Sequence, residues 1–342
     1  MKFTQYLIYI LAICTIAACT TPETDTFERF YFEHDGAALA VQVDGNRASR
    51  IFILLLHGGP GGSGQEYNAG QYARDLEAQY AMVYLDQRGQ GASQGSYDAS
   101  TITLQQFSDD IEALCIFLKA KYGNDISLFL MGHSWGGTTG THALLHTDIQ
   151  QQLRGWIEVA GAHDIPLLNK EAIKMFRTIG NEQVALGNSV DRWQPIIDFA
   201  ASVDTNNITV DQGGQINSYG FEAEGLIPDI ANGGASAADH GLGISPIAPL
   251  ATLVGTQTAS QIHDETEQTA LTNRLNELYL PCAFLWGKYD FVVPPALGET
   301  AFERVSTSRK QLVIFDQSGH SPMDNEPDAF VQAVVDFVEE YK

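Results

Sequence analysis

The chain has 342 residues, 44% of them hydrophobic, and a formal net charge of -23. That is enough for one large α/β domain with an insertion or for two modest domains, and apolar enough to bury a sizeable core. With 42 Asp and Glu against 19 Lys and Arg, the acidic excess argues against nucleic acid as a partner, because phosphates need basic side chains.

Met1-Lys2 precedes an apolar run over residues 6–16, followed by Ile16-Ala17-Ala18-Cys19. The run is too short to span a bilayer and has the form of a signal peptide over residues 1–18. Ile-Ala-Ala-Cys resembles the lipobox of bacterial lipoproteins, in which Cys19 is lipidated and becomes the mature N-terminus. The expectation is a lipid-anchored lipoprotein on the extracytoplasmic side of the bacterial cell envelope, with residues 19–26 as a polar tether. The alternative is simple secretion with cleavage nearby and no lipid. Several acyl chains would anchor the protein stably, whereas a single chain is marginal.

Residues 27–34 and 38–43 read as two strands around the turn Asp35-Gly36. Residues 51–56 form a continuous apolar run ending at HGGPGGSG, which suits a strand buried on both faces. Residues 81–85 form another, ending at DQRGQGAS. Leu104, Phe107, Ile111, Leu114, Leu118 and Tyr122 recur at helical spacing, with Thr103 and Gln106 placed for a capping box. A third buried strand covers 126–131, small residues over 136–143 suggest a helix packed close to the sheet, and 156–159 reads as a further strand. This alternation predicts a parallel sheet with helices on both faces.

From His163 the rhythm changes. Helical patches and the run ANGGASAADHGLG occupy the chain up to about residue 280, with no buried strand evident. Sheet-like segments resume at 282–286 and 311–315, and a last helix over 327–341 carries Phe330, Val334, Val338 and Tyr341 on one face. The reading is one α/β core in two parts, 27–162 and 281–342, interrupted by a mainly helical cap over 163–280. No internal repeat is visible. Cys115 and Cys282 each sit in an apolar segment, which suits buried free thiols. His142 and His146 have a spacing that could hold a metal but lack the Glu of a zinc-protease motif, and no metal or cofactor is expected.

The chemistry centres on LFLMGHSWGGTTG. A serine hydroxyl needs a base to take its proton as it attacks. G-x-S-x-G between a buried strand and a helix is the nucleophile-elbow pattern, so Ser134 is the candidate nucleophile. Its acid and base should follow in the order Asp, then His. Asp290 is the first carboxylate after the strand 282–286, and His320 lies in the loop beyond 311–315. Asp316 is the rival acid, read as a loop or capping carboxylate. His133 is read as buried in the elbow, and His163, His240 and His263 as ordinary polar residues of the cap. The oxyanion hole needs two backbone N–H groups: Trp135 supplies one and Gly59, in the glycine loop HGGPGG, the other. That loop lacks the Lys-Ser/Thr of a phosphate-binding loop.

With His57-Gly58-Gly59-Pro60-Gly61-Gly62, Asp86-Gln87-Arg88-Gly89-Gln90-Gly91-Ala92-Ser93, Gly132-His133-Ser134-Trp135-Gly136-Gly137, Asp290 and His320 in place, the chain resembles the α/β-hydrolase fold and, within it, the proline iminopeptidases. The resemblance covers nearly all of the chain outside the cap. It implies a mostly parallel central sheet flanked by helices, an inserted helical cap, and a serine aminopeptidase that removes N-terminal proline or another small residue without metal or cofactor. It further implies cap carboxylates that hold the substrate's α-amine. Glu222 and Glu224 are the candidates, with Glu171 and Glu182 beside them. Arg88 is read as bracing the loops. His133 and Gly137 depart from the proline-specific pattern, and G-H-S-x-G-G is common in esterases of the fold. A carboxylesterase acting on an acyl substrate therefore stays in view, as does a non-catalytic binding lipoprotein. A serine nucleophile rules against epoxide or haloalkane hydrolysis.

Overall fold

A computed structural model describes residues 27–231 and 248–342. The apolar run at the amino terminus, Cys19, the tether and His240 lie outside the described residues. Among the described residues, nine strands run along the chain as β1 (Glu28–His34), β2 (Ala37–Gly45), β3 (Ile51–Leu56), β4 (Ala81–Leu85), β5 (Gln94–Gly95), β6 (Ser127–His133), β7 (Gly155–Val159), β8 (Cys282–Gly287) and β9 (Lys310–Phe315). Across the sheet they lie in the order β1-β2-β4-β3-β6-β7-β8-β9, with β5 beside β2. β1 pairs antiparallel with β2, and β2 with β4; from β4 through β9 every pairing is parallel.

Helices α1 (Gly70–Glu77), α2 (Leu104–Tyr122) and α3 (Trp135–His146) connect the first strands. Then α4 (Ile165–Leu186), α5 (Val190–Ser202), α6 (Val210–Glu224) and α7 (Ala248–Glu267) follow β7, and α8 (Pro295–Arg304), α9 (Pro322–Asn325) and α10 (Pro327–Tyr341) complete the chain. One sheet face packs on Ile111, Leu114 and Leu118 of α2, Leu144 of α3 and Leu297 of α8. The opposite face packs on Tyr72 and Leu76 of α1 and on Phe330, Val334, Phe337 and Val338 of α10. Covered on both sides, β3, β4 and β8 are apolar at every position, as parallel central strands require. Edge strands β1 and β9 are only partly covered.

Local chemistry sets the helix ends. The Thr103 hydroxyl accepts from the Gln106 N–H at 3.2 Å, which starts α2. The reciprocal half of the expected capping box is replaced, because the Gln106 amide donates to Asp35 and Asp110 instead. The complete box stands at α6, between Thr209 and Gln212. Cys115 and Cys282 are buried free thiols.

Helices α4 to α7 form the insertion between β7 and β8. It has an apolar cluster of its own, built on Ile173, Phe176, Trp193, Ile196 and Ile216 and completed by Phe291 from the loop after β8. His163 does not behave as a cap residue. Its ring is fully buried just beyond β7 and bonds Glu158 at 2.7 Å, which gives the buried nitrogen a hydrogen-bond partner.

Arg88 is fully buried and donates to both oxygens of Asp110 at 2.8 and 2.6 Å and to the carbonyls of Asp35 and His34, both at 3.1 Å. It therefore ties the β1–β2 turn to α2. Replacing only Arg88 with Met takes the guanidinium from the buried Asp110 carboxylate, leaving it His34 and Gln106, and should lower stability by about 3 kcal/mol in urea denaturation. Adding Asp110→Leu should recover a large part of that loss.

Candidate active site

Ser134 links β6 to α3 with φ 55° and ψ -118°, a backbone conformation that a residue bearing a Cβ adopts only under constraint. The glycines around it are required by contact. A Cβ on Gly132 would sit 2.3 Å from the Gly136 carbonyl oxygen, one on Gly136 2.0 Å from that of Leu56, and one on Gly137 2.3 Å from the Gly161 Cα. The turn is also pinned by hydrogen bonds. Its N–H donates to Val159 at 3.1 Å, and its carbonyl accepts from Gly137 at 2.9 Å and Ala162 at 3.0 Å.

The loops after β8 and β9 bring Asp290 and His320 together. Asp290 is fully buried, and its Oδ1 accepts from the N–H groups of Val292 at 3.0 Å and Val293 at 2.6 Å. Its Oδ2 faces His320 Nδ1 at 3.0 Å, so the imidazole donates there and leaves Nε2 for other work. Burial disfavours the charged ring, but the Asp290 carboxylate, with Glu224 behind it, outweighs that and raises His320 above its usual 6.5. Asp316, the rival acid, points to solvent 3.7 Å from Lys288.

His133 is buried, as its place in the elbow implies, and joins three parts of the site. Its Nε2 meets the His320 carbonyl at 2.8 Å; a carbonyl only accepts, so the proton sits on Nε2. Nδ1 then accepts from the Tyr67 hydroxyl at 2.6 Å, and that hydroxyl accepts from the Gly58 N–H at 2.9 Å. Burial and the neighbouring His320 push His133 down to about 3, so it stays neutral. In the glycine loop the N–H of Gly58 is thus engaged by Tyr67, and that of Gly61 by the Gln90 side chain. Gly59 lies between them.

Ser134, Gly59 and Trp135 line one cavity of about 250 Å³. Its remaining wall comes largely from the insertion: Ile165, Leu168 and Asn169 on α4, Gly213 and Asn217 on α6, and His263 and Glu267 on α7. Val292 and Val293, beside Asp290, close it.

The expected amine ligands have other partners in the structure. Glu222 pairs with Arg192 at 2.7 Å and is not part of the cavity wall; a nearby guanidinium already satisfies it. Glu224 turns toward the core, where its Oε1 accepts from the N–H groups of Phe291 at 3.2 Å and His320 at 3.1 Å. Glu171 pairs with Lys174, and Glu182 is exposed. Among the described residues, the carboxylate in the cavity wall is Glu267. It lies one helical turn from His263, and burial raises its pKa against the opposing influence of that histidine. The i,i+4 pair His263 and Glu267 was the available signal in the sequence, but alone it is indistinguishable from a solvated helix face. His142 and His146 instead stack on each other at 3.8 Å, with Ser108 and Arg274 as their partners.

A family model described as Hydrolase_4, serine aminopeptidase, S33, matches residues 47–212. The probable aminopeptidase YbaC of Bacillus subtilis is 22% identical over 305 residues, 86% of this chain and 91% of that one. A proline iminopeptidase of Saccharolobus solfataricus is 24% identical over 308 residues, 86% of each chain. Among solved structures, a thermophilic esterase from Thermogutta terrifontis superposes with a TM-score of 0.56 at 19% identity, covering 92% of this chain and 99% of that one. A mostly parallel sheet flanked by helices, with an elbow after β6 and these similarities, gives the chain the α/β-hydrolase fold.

Proposed function

We propose that the chain is a serine hydrolase working through an acyl-enzyme, and that it removes a small N-terminal residue, such as proline, from peptides. Ser134 Oγ attacks the carbonyl carbon while His320 Nε2 takes its proton. Asp290 holds the ring through Nδ1 and stabilises the imidazolium. The N–H groups of Trp135 and Gly59 receive the oxyanion, and His320 passes its proton to the departing amine. Water then repeats the sequence on the acyl-enzyme and releases the amino acid.

One observation carries the aminopeptidase reading: Glu267 stands in the same cavity wall as Ser134. A half-buried carboxylate there suits an ammonium group, and a cavity of about 250 Å³ suits a small first residue. The apolar stretch formed by Ile165, Leu168, Val292 and Val293 favours a second reading, an esterase with an uncharged acyl group. The amino-terminal sequence supports placing the activity at a membrane surface through Cys19; an intact mass of the purified protein without acyl addition at Cys19 would remove that part.

Ser134→Ala should lower kcat by roughly 10⁴ to 10⁶ and abolish labelling by a fluorophosphonate. Labelling at a different serine would overturn the assignment. Because His320 must be neutral to act and its pKa is raised, kcat/KM should fall as pH drops through a midpoint above 6.5. A profile flat between about pH 5 and 8 is the contrary result.

Substrate class is separated by the amine. Glu267→Gln should lower kcat/KM for prolyl or alanyl nitroanilide by roughly 10- to 100-fold, the lower part of the range for a broken charge pair because Glu267 is only half buried. N-acetylated nitroanilides should be poor substrates for both proteins. Equal turnover of free and blocked amines, with faster nitrophenyl ester cleavage, would favour the esterase.

A further inference from the structure

We infer that Glu224 is a positioning residue for the acid–base pair: one carboxyl oxygen, supplied by the insertion, ties the loop of Asp290 to the loop of His320. The inference rests on the reading of that pair given above. Glu224 is the last residue of α6. Its Oε1 receives the N–H of Phe291, next to Asp290, and the N–H of His320 itself, at 3.2 and 3.1 Å. A single atom therefore fixes the spacing of two backbone segments that follow different strands. The base loop leaves room for it, since a Cβ on Gly319 would lie 2.5 Å from Glu224 Oε2.

The surroundings oppose a carboxyl group at this position. Glu224 sits in the last turn of a helix, where the macrodipole disfavours negative charge. Burial and the Asp290 carboxylate push its pKa up to about 8. The nearby His320 ring and two backbone hydrogen bonds act in the opposite direction, and the carbonyl oxygen of a neutral carboxyl or amide still accepts both bonds, though more weakly than a carboxylate. What the site requires from Glu224 is thus an acceptor at one point in space. Helix α6 makes one further contact there, the Phe221 ring standing edge-on to the His320 ring at 6.1 Å, while the acid loop is held by the Phe291 ring stacking on Phe176 of α4 at 6.0 Å.

Two variants separate position from charge. Glu224→Gln keeps the acceptor and removes the charge; Glu224→Asp keeps the charge and withdraws the acceptor by one methylene. Both are assayed in the full chain on nitrophenyl acetate and alanyl nitroanilide, with thermal melting and fluorophosphonate labelling rates alongside. Gln should hold kcat within about threefold of wild type, whereas Asp should lose roughly 10- to 100-fold in kcat and in labelling rate, with KM nearly unchanged, on the scale of a misplaced catalytic group. Wild-type kcat in the Asp variant, or an equal loss in Gln, would overturn the inference. A Gln variant whose KM rises only for the free-amine substrate would overturn it in favour of an amine ligand. Failure of the underlying reading has a different signature: Ser134→Ala then keeps its activity, whatever the Glu224 variants do.

Discussion

How closely the backbone at Ser134 is surrounded by other backbone governs the rest of the site. A residue with φ 55° costs on the order of 1–3 kcal/mol, and such strain persists only where the surroundings over-determine it. Here the hydrogen bonds to Val159 and Ala162 tie the turn to the end of β7, while missing side chains at Gly132, Gly136, Gly137 and Gly161 let β3, β6, β7 and α3 meet without intervening atoms. The same close approach sets where Trp135 presents its N–H and how near the glycine loop after β3 comes to the serine. A Cβ on Gly58 would stand 3.3 Å from that of Ser134. The elbow is thus the point from which the other loops are measured.

The insertion is the second determinant, and it is joined to the core through the acid loop. Phe291 follows Asp290 in sequence yet buries its ring among Phe176 and Trp193. Gly220 of α6 packs against the carbonyl of Phe291, where a Cβ would come within 2.8 Å. Asp290, which bonds the His320 ring, and Phe291, which anchors the insertion, are consecutive, so the cavity wall and the Asp290–His320 pair share one mechanical support.

The core was legible in the sequence because parallel strands buried on both faces write themselves as unbroken apolar runs, as in IFILLL and CAFLWG. Ser134 and Asp290 stand out because each follows such a strand, and His320 because it lies beyond the edge strand β9, where the chain must leave the sheet. The insertion was legible only as a change of rhythm. Its carboxylates look alike in a linear reading, since Glu222, Glu224 and Glu267 all occupy the last turns of amphipathic helices. Which of them meets Arg192, a backbone amide or the cavity depends on how α6 and α7 rotate against the core, and helical periodicity does not encode that. His163 was misplaced for a related reason. It belongs by sequence to the start of the insertion and by packing to the interior, where Glu158 determines its surroundings.

Two imidazoles lie side by side at the centre of the site, His133 and His320, with ring centroids 4.7 Å apart. Their environments divide the work of acidity between them. His320 has a carboxylate against Nδ1 and gains a proton above 6.5; His133 has a hydroxyl and a carbonyl as partners and takes none until about 3. Only one ring of the two takes up a proton more readily than a free imidazole. The other works as a fixed strut between Tyr67 and the carbonyl of its neighbour, so acidification changes the charge on His320 while the linkage that holds it to the glycine loop stays intact.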